Sequence, residues 1–304
     1  MSMELKQAAA ECAALVKAEN LDAWLATLLA PERAQAALLA QWAVVAEVTR
    51  LPWRLSEGLL ARLRGEWWRE ALLELADGAG RAGGAEKAAG AGEADGTEKA
   101  EGARQASEAR QAEGAAGIGE TSGAGAAGQG GASAPPLRIL RATGHDVSLL
   151  AQSVAHLSLL ADSIFTTAPQ AAAFAREAFT PLLTSLARTL DVEANPARLA
   201  DLAQAFGAAF LLRRLPYPRA TQPAALMPQA AARELAEQAL AACAAARRRA
   251  WPRPWLPALW PASLSLQWLK KAARHPAFPM QPVPAPGQLR RQLALLRLRL
   301  AGGV

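Results

Sequence analysis

Apolar residues recur along this chain at the three- and four-residue spacing of a helix, and the every-second-position alternation of a half-buried strand is almost absent. The first stretch, 2–18, reads as a short helix. Asn20-Leu21-Asp22 caps a second that runs through Trp24, Leu25, Leu28 and Leu29 until Pro31. Residues 34–50 place Leu38, Trp42, Val45 and Val48 on one face, and Pro52 ends that helix. Ser56 and Glu57 open another, whose apolar positions are Leu59, Leu63, Trp67, Ala71 and Leu75.

Further helices follow over 145–163, with Leu150, Val154 and Leu157 inward, and over 171–190, which Thr180-Pro181 should kink. Others are read over 196–215, with Leu199, Leu202, Phe206 and Phe210, and over 229–249, ending in Arg247-Arg248-Arg249. A Pro/Trp-rich connection at 251–255 leads to the last two, 256–273 and 288–300. Helices without a credible strand indicate an all-α bundle.

One segment breaks the pattern. Residues 77–136 consist almost wholly of Gly, Ala, Glu, Lys, Gln, Arg and Ser, with Ile118 the one large aliphatic residue and no aromatic one. Such a stretch buries too little apolar area to offset its chain entropy, so it reads as a disordered low-complexity insert. The expected organisation is a single helical domain in two parts, 1–76 and 137–304, around that insert. Its nine acidic and five basic residues put the remainder of the chain near +10, against +6 overall. A basic surface suits anionic partners, an anionic membrane among them. It equally fits plain arginine-rich usage.

Cys12 and Cys243 lie far apart without metal-ligand spacing and read as small core residues. His145, His156 and His275 have no Cys, His or acid at ligand spacing, so no metal site is read from them. No Ser/His/Asp arrangement, phosphate-cradling glycine loop or nucleic-acid module is recognisable. The start, Met1-Ser2-Met3-Glu4-Leu5-Lys6, lacks the apolar core of a leader, and no apolar run approaches a membrane span. A cytoplasmic protein, soluble or peripheral at a membrane, is the expectation.

The candidate chemistry lies in three blocks. The first is Trp42-Ala43-Val44 followed by Thr49-Arg50-Leu51-Pro52-Trp53. The second is Ser56-Glu57 with Glu66-Trp67-Trp68-Arg69-Glu70-Ala71-Leu72, and the third runs from Ala205 to Pro216 and contains Gly207, Phe210, Arg213 and Arg214. In these blocks, and in Leu256-Pro257 through Gln288-Leu289-Arg290-Arg291, the chain resembles the squalene/phytoene synthase family. It is most like a branch that has lost the catalytic aspartates. Glu47 matches an acid of that branch, whereas Gly58 stands where a proline is usual.

The resemblance implies an isoprenoid-synthase-like helical bundle. In active members it also implies a magnesium-dependent condensation of prenyl diphosphates. Thr49, Arg50 and Trp53 fall where the first aspartate motif would lie. Gly207, Phe210 and Arg214 fall where the second motif has glutamine, asparagine and aspartate. An arginine in place of a carboxylate ligand removes an oxygen and sets a positive charge beside a dication, a repulsion on the order of 8 kcal/mol at ~4 Å and an effective dielectric of ~20. The resemblance therefore points to a protein without cofactor, a binding or assembly factor for respiratory complex I at the inner membrane, whose partners are complex I subunits. Two other readings stay open: a prenyltransferase of isoprenoid biosynthesis, which would use Mg²⁺, and a metal-independent module for an isoprenoid lipid.

Arg50, Arg213 and Arg214 are the candidate anion-binding residues of the old cavity, if they converge. Otherwise they are solvated or paired with acids such as Glu47. Trp67, Trp68 and Arg69 are a candidate partner surface. The alternative is that the tryptophans fill core and groove while Arg69 pairs with Glu66 or Glu70.

Overall fold

A computed structural model describes residues 2–89, 134–190, 193–221, 225–275, 278–279 and 281–302. The protein is all-α, with eleven α-helices and no strand among the described residues. The helices are α1 (Met3–Glu19), α2 (Leu21–Thr27), α3 (Glu32–Arg54), α4 (Gly58–Ala89), α5 (Pro135–Thr143), α6 (Ser148–Ser158), α7 (Ala168–Arg188), α8 (Pro196–Arg214), α9 (Gln229–Arg247), α10 (Leu256–Arg274) and α11 (Gln288–Ala301). The chain divides into two compact units, Met1–Ala79 with Ala132–Val304, and Gly80–Gly131. Of the insert expected over 77–136, residues 90–133 lie outside the described residues. Its first part continues α4 to Ala89, and Pro135-Pro136 begin α5 with Pro136 buried.

In the first unit α8 is surrounded by α7, α9 and α10, while α3 packs on α1 and α5. Phe179, Leu182, Leu183 and Leu186 of α7 meet Leu199, Leu202 and Leu211 of α8, all fully buried. Burying each such side chain stabilises the fold by roughly 1.5–3 kcal/mol. The approach of α7 to α8 is close at Gly207, where a Cβ would stand 2.6 Å from the Phe179 ring and 2.9 Å from the Ala175 backbone. Cys12 and Cys243 are free and buried, and burial pushes their thiols up to about 12 and about 11.

Asn20 both closes α1 and opens α2. Its N–H donates to the Val16 carbonyl at 2.7 Å, and its Oδ1 accepts from Ala23 N–H at 3.1 Å. This reversal turns the residues around it toward α8. One proline expectation changes: Pro52 does not end α3, which runs on to Arg54. Pro181 lies inside α7, where Thr184 Oγ1 donates to the Thr180 carbonyl at 2.8 Å.

α4 presents a different face from the one its leucines suggest. Leu59 and Leu63 are exposed, and the buried positions are Ala61, Gly65, Trp68 and Leu72. A Cβ at Gly65 would collide with that of Ser158. The small residues permit close approach to the 3₁₀ turn after α6, and that contact outweighs the larger leucines in fixing the helix's rotation.

Candidate ligand cavity

The helices α3 and α8 border one cavity of about 390 Å³, within the range of about 300–1,000 Å³ usual for small-molecule sites. Trp42, Val45, Ala46 and Thr49 come from α3; Phe206, Phe210, Arg213 and Arg214 come from α8. Their spacings are those of single helix faces. The α1–α2 reversal adds Lys17, Glu19 and Asp22, α7 adds Phe179, and α11 adds Arg291. Phe206 meets Trp42 edge-on at 5.7 Å and Phe179 at 5.3 Å, with Phe210 5.3 Å from Phe179. One wall is thus aromatic.

Charged groups line the rest of the cavity. Four cations (Lys17, Arg213, Arg214, Arg291) face two carboxylates (Glu19, Asp22). Asp22, only 2 % exposed, lies 3.1 Å from Arg291 and 3.6 Å from Arg213. Arg213 also stands over Trp268 at 5.1 Å, and its Nε and Nη2 are buried without a hydrogen-bond partner among the described residues. Its side chain is 27 % exposed, and burial holds its guanidinium below the ordinary arginine value. Arg214 lies 3.7 Å from the Phe210 ring centre and 5.4 Å from that of Trp53. Burial, and to a lesser degree its neighbour Arg213, lower it to about 10, so it is charged at neutral pH. Glu19 lies 3.4 Å from Arg54, and its charge also acts on Arg214, partly offsetting the effect of burial.

The sequence-derived residues separate into groups. Thr49, Phe210, Arg213 and Arg214 line the cavity. Trp53 is reached through Arg214 and donates its indole N–H to the Tyr217 carbonyl at 3.2 Å. Gly207 faces α7 as a packing residue. Arg50 does not converge with the other arginines: it lies one residue, about 100° of helix, past Thr49 and pairs with Glu47 at 2.5 Å. The tryptophan block is not a free surface. Trp68 is core, Trp67 is half-buried edge-on to it at 5.0 Å, and Arg69 holds Glu66 at 2.6 Å. Asp22 and Arg291 were not legible as site residues, since Asp22 reads locally as a first-turn acid and Arg291 as one of several helix arginines.

Magnesium takes oxygen ligands in near-octahedral geometry, and of the two carboxylates on the cavity Asp22 is engaged by two arginines. Among the described residues no group of three His, Cys, Asp or Glu is placed to hold a metal. The arrangement offers aromatic rings beside four cations against two carboxylates, suited to an anion with an apolar body. No protein-family model, curated protein or solved structure matches the chain.

Proposed function

We propose that this chain is a non-catalytic binding protein on a squalene/phytoene-synthase-like helical fold, whose cavity holds an anion-headed, apolar ligand of the isoprenoid type without metal. The observation that supports it is Arg214: a half-buried guanidinium on the cavity, 3.7 Å from the Phe210 ring centre, with no acid within ion-pair distance among the described residues. Charge-assisted hydrogen bonds from such groups contribute about 1.5–3 kcal/mol each.

The resemblance carries the cellular part of the proposal, a binding or assembly factor for respiratory complex I working from the cytoplasmic side at the inner membrane. No helix among the described residues is long and apolar enough to cross a membrane. The test is incubation of the pure chain with farnesyl or geranylgeranyl diphosphate and magnesium. No release of diphosphate is expected; magnesium-dependent release overturns the proposal in favour of a prenyltransferase.

A further inference from the structure

No Asp or Glu occurs in the chain after Glu237, whereas the same stretch holds eleven Lys and Arg. Its last helix, α11, has two leucine faces. The inner one, with Ala294 and Leu295 buried and Leu298 partly so, packs on the core; Arg291 on this side reaches Asp22. The outer one is Leu289, Leu293, Leu296 and Leu300, spaced i, i+4, i+7, i+11 and 70, 49, 50 and 79 % exposed. Exposed Arg290 and Arg297 flank this stripe on one side and Arg299 on the other. The basic character continues onto α10: two adjoining grooves share Lys270 and Arg290, include Lys271, Arg274 and Arg297, and have no carboxylate among their lining residues.

We infer that the outer face of α11, with the adjoining basic face of α10, docks on an anionic lipid bilayer. The leucines enter the acyl boundary and the arginines and lysines meet lipid phosphates. Aliphatic residues alone, without a directional hydrogen-bonding group among them, suit a fluid apolar layer, and cations on both flanks suit anionic head groups. A second protein surface is less well served, because four leucines fall far short of the ~800 Å² per partner of a stable interface. The assignment rests on the membrane-face part of the reading above and is independent of the cavity.

The test is sedimentation of the full chain with vesicles of phosphatidylcholine containing one-third phosphatidylglycerol, against phosphatidylcholine alone. The chain sediments with the anionic vesicles at low salt, is released by high salt, and stays in solution with the neutral ones. Arg290→Gln with Arg297→Gln and Arg299→Gln lowers the partition coefficient about a hundredfold. Leu289→Gln with Leu296→Gln lowers it at least about tenfold. Should either variant melt early, Leu300→Gln in the last turn decides, with a smaller loss in the same direction. Arg214→Ala leaves vesicle binding intact, so failure here and failure of the cavity reading are distinguishable. A chain that ignores anionic vesicles, or variants that sediment like the parent, overturn the inference. So does a self-association that the leucine variant abolishes while no vesicle binding is seen.

Discussion

Arg290 and Arg291 are neighbours in sequence and opposites in circumstance. Arg291 turns inward to the cavity, 12 % exposed, 3.1 Å from Asp22 and donating its Nε to the Pro286 carbonyl at 2.8 Å. Arg290 turns outward beside a leucine stripe, on a face whose grooves contain no acid. The interior cations are held in place by aromatic rings and one shared carboxylate, so they form a fixed, preorganised site. The exterior ones are free to follow a soft anionic surface. The same residue type thus serves two kinds of recognition, and what separates them is the partner each guanidinium meets on folding.

The comparison breaks most visibly at Asp22. Replacing Asp22 with Asn leaves Arg213 and Arg291 facing each other without a counter-charge, a loss of about 3–5 kcal/mol by analogy with broken buried pairs. For a domain of this size that is roughly 10 °C in melting temperature. Arg290→Gln, the outward control, leaves the melt unchanged. Equal effects from the two would erase the distinction between the regions.

Gly207 sharpens the interior side. Gly207→Gln drives a side chain into Phe179 and Ala175, costing about 1–3 kcal/mol or more. Gly287, whose Cβ would meet nothing within 4 Å, tolerates Ala with little change. A Gly207→Gln chain as stable as the parent would show that α7 and α8 do not approach as described.

A smaller effect comes from pH. Burial lowers the Arg214 guanidinium to about 10, so cavity affinity for an anion of constant charge is flat through neutral pH and falls as pH rises through about 10. The stability sign is the reverse. The unfolded chain binds this proton more tightly, so the residue's cost to folding is present below about 10 and disappears as pH rises to the ordinary arginine value. Titration calorimetry and denaturant melts at stepped pH read the two separately. An affinity that declines already near neutrality would assign the contact to another group.

Much of this was legible in the chain. Helical spacing gave the all-α class and set Trp42 and Val45 on one face and Phe206 and Phe210 on another. Helical angle alone turns Arg50 away once Thr49 faces in, and the sequence also supplied its partner, Glu47. The Asp22–Arg213–Arg291 cluster was out of reach, because its members come from α2, α8 and α11 and no local pattern links them. The face of α4 was misread for a physical reason: leucine spacing favours Leu59 and Leu63, but Gly65 permits a backbone approach that larger side chains forbid. The outer stripe of α11 was hidden within a helix that is leucine-rich on both sides, and which leucines are covered depends on the tertiary fold.

The most direct test of the central claim is calorimetric titration of the full chain with geranyl diphosphate in EDTA and again in excess magnesium. The account predicts binding at one site in EDTA, no strengthening by magnesium, and at least about a tenfold loss in Arg214→Ala, the worth of one charge-assisted contact. Binding that appears only with magnesium, or that Arg214→Ala leaves untouched, would contradict it.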